Sequence, residues 1–598
     1  MEIKQKKRSE ISNEFKWNLT EIFLTKEDWQ KAIDSMSIKT KEIEAFKGKL
    51  KDGASILDCF EKLYTASKLI GKIYVYANMT MHEDANVSEA QGMASLAESE
   101  YTKFNAAVSF VDPEILENDY EVVKGFVKNT AGLDAYAHVL DNLFRTKAHT
   151  LSAEVEEILA NANEISKAPS KINEMLDSAD MKFGEIKDED GNSVELTPGR
   201  YGSYIRSKDR RVRKDVFDAY HEGYAKLKNT FTTMYSQSIK SDMFFAKTRK
   251  YESSRAASLS NYNIPVSVYD NLIEAVHEFL PVMHRYVAVR KKALNLDKVH
   301  MYDMFCPMIE EADTNVSYEE AKKKLAEGLA PLGKEYIDAM SKGMESSWID
   351  VYENEGKMTG AYSWGVQGTP PYVLMNYDNK IGDMFTLAHE MGHSMHSYYS
   401  WGTQPKQYGS YSLFLAEVAS TVNEALLMEH MLKTTDDPKV RLFLIGEYID
   451  QFRGTVFRQT MFAEFEHIMH EQLEKGEPMT LEGACKTYRE LVEKYHGPDF
   501  HADEFLDIEW MRISHFYRAF YVYQYSTGYS SAIAFAKRIK EEGEPAVKDY
   551  LDFLKAGSSD YSINILKKAG VDMSTPEPVR EALKVFDELV TMLEKEYE

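Results

Sequence analysis

Residues 389–393 read His-Glu-Met-Gly-His. On a helix, positions i and i+4 stack on one face, so His389 and His393 can aim their imidazole nitrogens at one metal ion. Glu390 sits one residue round from that face, placed to take a proton from a water polarised by the metal. These residue types at this spacing point to metal-assisted hydrolysis, with a peptide bond as the substrate they suit best. One zinc ion fits two imidazoles and a carboxylate, although manganese or cobalt accepts the same donors.

A catalytic zinc wants a third protein ligand and one open position. The pattern with Gly three and His six residues after the second histidine fails, because His396 and Tyr399 stand there. The alternative is a carboxylate from a neighbouring helix. Residues 413–427 read as a buried apolar helix, yet Glu417, Ser420, Thr421 and Glu424 form a polar stripe along it. Carboxylates in such a helix are costly unless they are paired or bind metal. Glu417, 24 residues after His393, is expected as the third ligand. Glu424 is expected to hold a histidine N–H, with the exchanged assignment, Glu424 as ligand, kept open. His396 shares the motif face but lies two turns from His389, so it is expected beside the ligands or packed, not as a fourth ligand.

The elements that must position these residues are also readable. Residues 376–383 are turn-rich and can open a helix, with Asp383 as an N-cap or first-turn acid. From 384 to 399 there is no proline and Gly392 is the sole glycine. Just upstream, 361–364 and 372–377 are short, aromatic or branched runs separated by Gly365, Gly368, Thr369, Pro370 and Pro371, a strand–loop–strand pattern. A strand edge beside a metal can bind an extended peptide through main-chain hydrogen bonds. Gly360, Ala361, Tyr362 and Tyr372 are the substrate contacts this predicts; the competing reading is a purely structural hairpin.

Several ordered blocks together resemble the oligoendopeptidase F family, of the thimet-oligopeptidase-like zinc metallopeptidases. They are WIDVY at 348–352, GKMTGAYS at 356–363, PYVLMNY at 371–377, TLAHEMGH at 386–393, AEVAST at 416–421, and HFY with FYVYQY between 515 and 525. The resemblance is clear over about 180–530, and the zinc positions show no departure from it. It implies a cytoplasmic endopeptidase for short unstructured peptides, with the two histidines and the downstream Glu as ligands. It also implies a mainly α, two-lobed helical body around a deep substrate channel, with a small strand edge beside the HExxH helix. Related peptidases use a His and a Tyr from the last block to stabilise the transition state. A ring N–H and a phenol hydroxyl are suitable donors to a tetrahedral oxyanion. Tyr517, Tyr521 and Tyr525 fall on one helical face, the mark of packing, whereas His515 and Tyr523 fall on another. His515 and Tyr523 are therefore the expected donors, with Tyr517 third.

The whole chain agrees. Its 598 residues and 68.6 kDa are enough for two domains or more. We expect an N-terminal helical domain at 1–199, ending in a β-hairpin at 181–197 turned by Asp190-Gly191, and a catalytic domain at 200–598. The net charge of −24 argues against nucleic acid and anionic membranes as partners. Three isolated cysteines, Cys59, Cys306 and Cys485, suggest no disulfide framework and fit a reducing compartment. No signal peptide or spanning apolar run is evident. Residues 151–180 and 317–346 show helical periodicity, 211–215 a basic helix face in solvent, and 579–598 an amphipathic capping helix. Oligomeric state is not readable. Two competing functions remain: a zinc carboxypeptidase or dipeptidyl carboxypeptidase, and a non-catalytic helical zinc-binding protein.

Overall fold

The computed structural model describes residues 5–308 and 315–597. The fold is mainly α, 71% helical with a few short strands. Two compact units each draw on three stretches of chain. The first comprises Met1–Ala148, Thr314–His430 and Phe535–Gly570; the second comprises His149–Asp313, Met431–Ala534 and Val571–Glu598. The hairpin expected to close a domain at residue 199 lies inside the second unit. It forms from β1 (Glu185–Lys187) and β2 (Ser193–Glu195), antiparallel, with Gly191 at φ +83° in its turn. A two-residue parallel pair, β3 (Val299–His300) with β7 (Phe500–His501), also belongs to the second unit.

The first unit carries the sheet that matters for chemistry. Its order is β4 (Ile349–Asp350), β6 (Tyr372–Leu374), β5 (Tyr362–Trp364). β4 runs parallel and β5 antiparallel to β6, so β5 is an outer strand with one free edge. Two cations, one buried and one half-buried, grip the far side. Asp350 takes Arg8 Nη1 at 2.7 Å and Lys357 Nζ at 2.7 Å, and Lys357 also donates to the carbonyls of Tyr352 and Met375. On the other face, Tyr372 and Leu374 join the apolar cluster built by Ile70, Ile73 and Ala77 of the long helix Gly53–Glu83. That helix starts where Asp52 accepts Ser55 N at 3.0 Å.

The motif helix spans Ile381–Thr403 and the next helix Leu413–Thr434, matching the expected elements. Asp383 is the first-turn acid: its Oδ2 accepts Lys380 N and Asp378 N, each at 2.9 Å. Elsewhere the periodic stretches are interrupted. The first splits into Ala153–Ser166 and Ala168–Met175. The second splits into Tyr318–Gly328 and Lys334–Glu345, around Pro331 and the positive φ of Gly333. The basic run is not all solvated. Arg213 is buried and donates to Asp303 at 2.9 Å, beside Arg210 on the same carboxylate. The C-terminal helix runs Glu577–Tyr597. All three cysteines are free thiols. Among the described residues, no helix is long and apolar enough to cross a membrane.

Candidate active site

The site is built in the first unit by two helices and the edge strand. His389 Nε2 and His393 Nε2 face each other at 3.1 Å. Glu417 closes the group, with carboxylate oxygens 3.5 Å from His389 Nε2 and 3.9 Å from His393 Nε2. Each residue's donor atom lies within 4.8 Å of the others. Two imidazole nitrogens and a carboxylate oxygen converging within 4.8 Å form a donor set that suits a divalent metal. The back of each ring is held. His389 Nδ1 meets Glu424 Oε1 at 2.6 Å, and a backbone hydrogen bond to Ala416 fixes His393. The titration of the pair follows this asymmetry. Burial alone would lower His389, but the hydrogen bond and charge of Glu424, with Glu390 and Glu417, raise it to about 9. Burial and the neighbouring His389 push His393 down to about 3.

Glu390 is buried next to this group, and its Oε2 has no hydrogen-bond partner. Burial raises its carboxyl to about 7; His389 opposes this, and the charges of Glu417 and Glu424 add to it. A backbone hydrogen bond from Ser363, the middle residue of β5, acts on the same carboxylate. An orphaned oxygen on a carboxylate poised near neutrality is what a general base requires.

Gly392 explains how Glu417 reaches the motif. A Cβ on Gly392 would lie 2.5 Å from Ser420 Cα and 2.6 Å from Ala419 O. Only glycine lets the two helices approach this closely. Asn423 then bolts them together, donating to Ala388 O at 3.1 Å while accepting Tyr336 Oη at 2.8 Å. On the sheet side, Ser394 Oγ and Ser363 Oγ lie 2.8 Å apart. These residues escaped the sequence reading, because their roles are contacts between distant segments. Gly392 alone left a trace, as the one glycine in the helix.

The remaining candidates are placed as follows. Gly360 has φ +84° and its carbonyl accepts Asn376 Nδ2 at 2.8 Å. Ala361 is half-buried immediately before β5. Tyr362 lies on β5 with its hydroxyl 2.7 Å from His82 Nδ1. Tyr372 is fully buried on β6, its hydroxyl donating to Asn18 O at 2.7 Å, so its side chain belongs to the core. His396 is fully buried and stacked on Tyr411 at 3.6 Å, with neither ring nitrogen hydrogen-bonded; burial drops it to about 3.

His515, Tyr517 and Tyr523 belong to the second unit. They do not share one helix, although their spacing predicts one. Short 3₁₀ turns cover Leu506–Arg512 and Ser514–Tyr517, and a new helix begins at Tyr523. Between them Phe520 takes φ +55°, its N–H held by the buried Glu466 at 2.8 Å. His515 stacks with Tyr521, Tyr517 packs near Tyr235, and Tyr523 is buried beside Tyr269.

The helical fold and the HExxH donor set with its downstream carboxylate are those of a metal-dependent peptidase. Comparisons with known proteins narrow this. The family model "Peptidase family M3" matches residues 203–585, and the model "Oligopeptidase F" matches 114–183. Oligopeptidase PepF of Bacillus subtilis is 45% identical over 591 residues, 98% of this chain and 88% of that protein. Group B oligopeptidase PepB of Streptococcus agalactiae is 40% identical, covering 98% of each chain. The crystal structure of oligoendopeptidase-F from Enterococcus faecium is 38% identical with a TM-score of 0.74, over 95% of this chain and 99% of that one. A solved structure from Chlamydophila abortus is 35% identical with a TM-score of 0.94, over 99% of this chain and all of that one. This chain belongs to peptidase family M3, a family of metal-dependent peptidases.

Proposed function

We propose that this protein is a zinc endopeptidase that hydrolyses internal bonds of short, unstructured oligopeptides. One zinc ion would be held by His389, His393 and Glu417, where it would polarise water and the substrate carbonyl. Glu390 accepts the proton of the attacking water and delivers it to the leaving nitrogen. Glu424 keeps the His389 ring oriented. The free edge of β5 binds the substrate main chain, with Gly360, Ala361 and Tyr362 along it; Ser363 N–H ties that edge to Glu390. The observation that carries this reading is the convergence of two imidazole Nε2 atoms and a carboxylate beside a second, buried carboxylate with a free oxygen. For His515, Tyr523 and Tyr517 as oxyanion donors, the support is their donor chemistry. A net charge of −24 and free thiols support a cytoplasmic setting without nucleic-acid or membrane partners.

Main-chain recognition along a strand edge needs neither peptide terminus, which favours internal cleavage over trimming from an end. The test is mass spectrometry of products from a mixed-sequence peptide blocked at both ends. Internal cuts are expected. Intact blocked peptide, with cleavage of its free-ended counterpart, would replace this reading by an exopeptidase.

A further inference from the structure

Beyond the edge strand lies a cavity of about 550 Å³, still within the first unit. It is walled by Tyr64, Lys68, Trp364, Gln367, Trp401 and Tyr411. Trp401 is two turns beyond His393 on the motif helix, and Trp364 is the last residue of β5. The chain leaving β5 turns back at once. Gly365 packs so tightly that a Cβ would lie 2.8 Å from Pro370 O and 2.9 Å from the Trp401 ring. Gly368, at φ +93°, forms the tip of that turn.

Two ammonium groups converge over this tip. Measured from the point where a Gly368 Cβ would stand, Lys68 Nζ is 3.1 Å away and Lys72 Nζ 3.5 Å. Both lysines project from the helix Gly53–Glu83 at positions i and i+4, where like charges repel. Burial and the charge of Lys68 hold Lys72 below the usual lysine range, and no carboxylate opposes them. Among the described residues neither ammonium has a hydrogen-bond or ion-pair partner, whereas Lys406, on the same cavity, is neutralised by Glu61. In a chain with 96 acidic and 72 basic residues, an unneutralised pair of half-buried cations is an unusual expense. Such a pair is complementary to an anion that arrives from outside.

We propose that Lys68 and Lys72 form a carboxylate-binding subsite for the substrate peptide, next to the edge strand. This rests on the peptidase reading above and adds a substrate class to it: peptides with a carboxylate a few residues from the cleaved bond. Gly368 lies five positions after Ser363, whose backbone N–H touches Glu390. An extended chain covers at most about 17 Å in that distance, which sets the reach. The carboxylate is either the C-terminus or an acidic side chain, and the aromatic walls would cover the apolar stem leading to it.

The test is equilibrium binding to the Glu390→Gln protein, so that affinity is read whether or not turnover occurs. Wild-type cleavage of the same peptides, measured in parallel, reports on the peptidase reading separately. Three fluorescent peptides share one sequence: a neutral amide, the free C-terminal acid, and the amide with one internal Gln→Glu change. At least one carboxylate peptide should bind about tenfold tighter than the neutral one, as expected for a charge-assisted hydrogen bond. The Lys68→Met, Lys72→Met pair, which keeps the packed methylenes, should abolish that preference, so that the three peptides bind alike. Preference for the free acid assigns the site to the C-terminus; preference for the internal Glu assigns it to a side chain. Equal binding of all three peptides, or a preference that survives in the double variant, overturns the proposal.

Discussion

His389 Nδ1 lies 2.6 Å from Glu424 Oε1, seven residues beyond Glu417 on the same helix. Two turns of one helix thus place one carboxylate in front of the imidazole and one behind it. The rear contact fixes the tautomer that presents Nε2 to a metal and raises the basicity of the ring. Replacing Glu424 with Ala should weaken metal affinity about 10–100-fold without preventing binding. Competition with a chelator of known affinity measures this. Glu417→Ala should cost far more, because it removes the proposed third ligand; equal losses in the two variants would favour the exchanged assignment.

Gly392→Ala should separate the two ligand-bearing helices. The new methyl would meet main-chain atoms of Ala419 and Ser420, which no rotamer change can move aside. We expect a loss of about 1–3 kcal/mol in stability together with loss of metal binding. Thermal unfolding and metal analysis of the one variant check both. A stable Gly392→Ala protein with normal metal content would show that the helices need no such closeness.

Much of the site was legible because its logic is local. The i, i+4 histidines need only a helix, and Glu417 betrayed itself as a carboxylate inside an apolar run. The outer strand was readable because Gly365, Gly368, Pro370 and Pro371 separate two short aromatic or branched runs. What could not be read depends on partners distant in sequence. Arg213 looks like a solvated helix charge until Asp303, 90 residues away, takes it into the core. The HFY–FYVYQY block looks like one helix until Glu466 captures the N–H of Phe520 and holds it left-handed. The Tyr372 side chain is drawn into the core because its hydroxyl finds Asn18 O.

The block GKMTGAYS at 356–363 contains a structural cation as well as the edge strand. Lys357 is buried against Asp350, which also holds Arg8. Asp350→Ala would leave two cations without their shared anion, one of them in the core. A loss of about 3–5 kcal/mol is expected, with the β4–β6–β5 sheet disrupted. Urea denaturation measures the loss, and a change below about 1 kcal/mol would contradict the buried-pair account.

Stability should fall in acid through histidines remote from the motif. Burial, above all, holds His221 and His496 down to about 4, against about 6.5 in the unfolded chain. Between these values the unfolded chain binds more protons than the folded one, so stability rises with pH from about 4 to about 6.5 and is lost on the way down. Each histidine contributes at most about 3 kcal/mol to that slope. Denaturant midpoints at pH 5 and pH 7, for wild type, His221→Phe and His496→Phe, test this. Each variant should show a shallower difference between the two pH values, and an unaltered difference in both would refute it.

The central claim is that Glu390 moves the proton while His389, His393 and Glu417 hold the metal. It is tested most directly by Glu390→Gln, assayed for zinc content and for turnover of an end-blocked peptide on the same sample. The account predicts one zinc per chain in both proteins and turnover reduced about 10²–10⁴-fold in the variant. Near-normal turnover in the variant would contradict the proton-transfer role, and loss of zinc would contradict the division of labour between Glu390 and the three ligands.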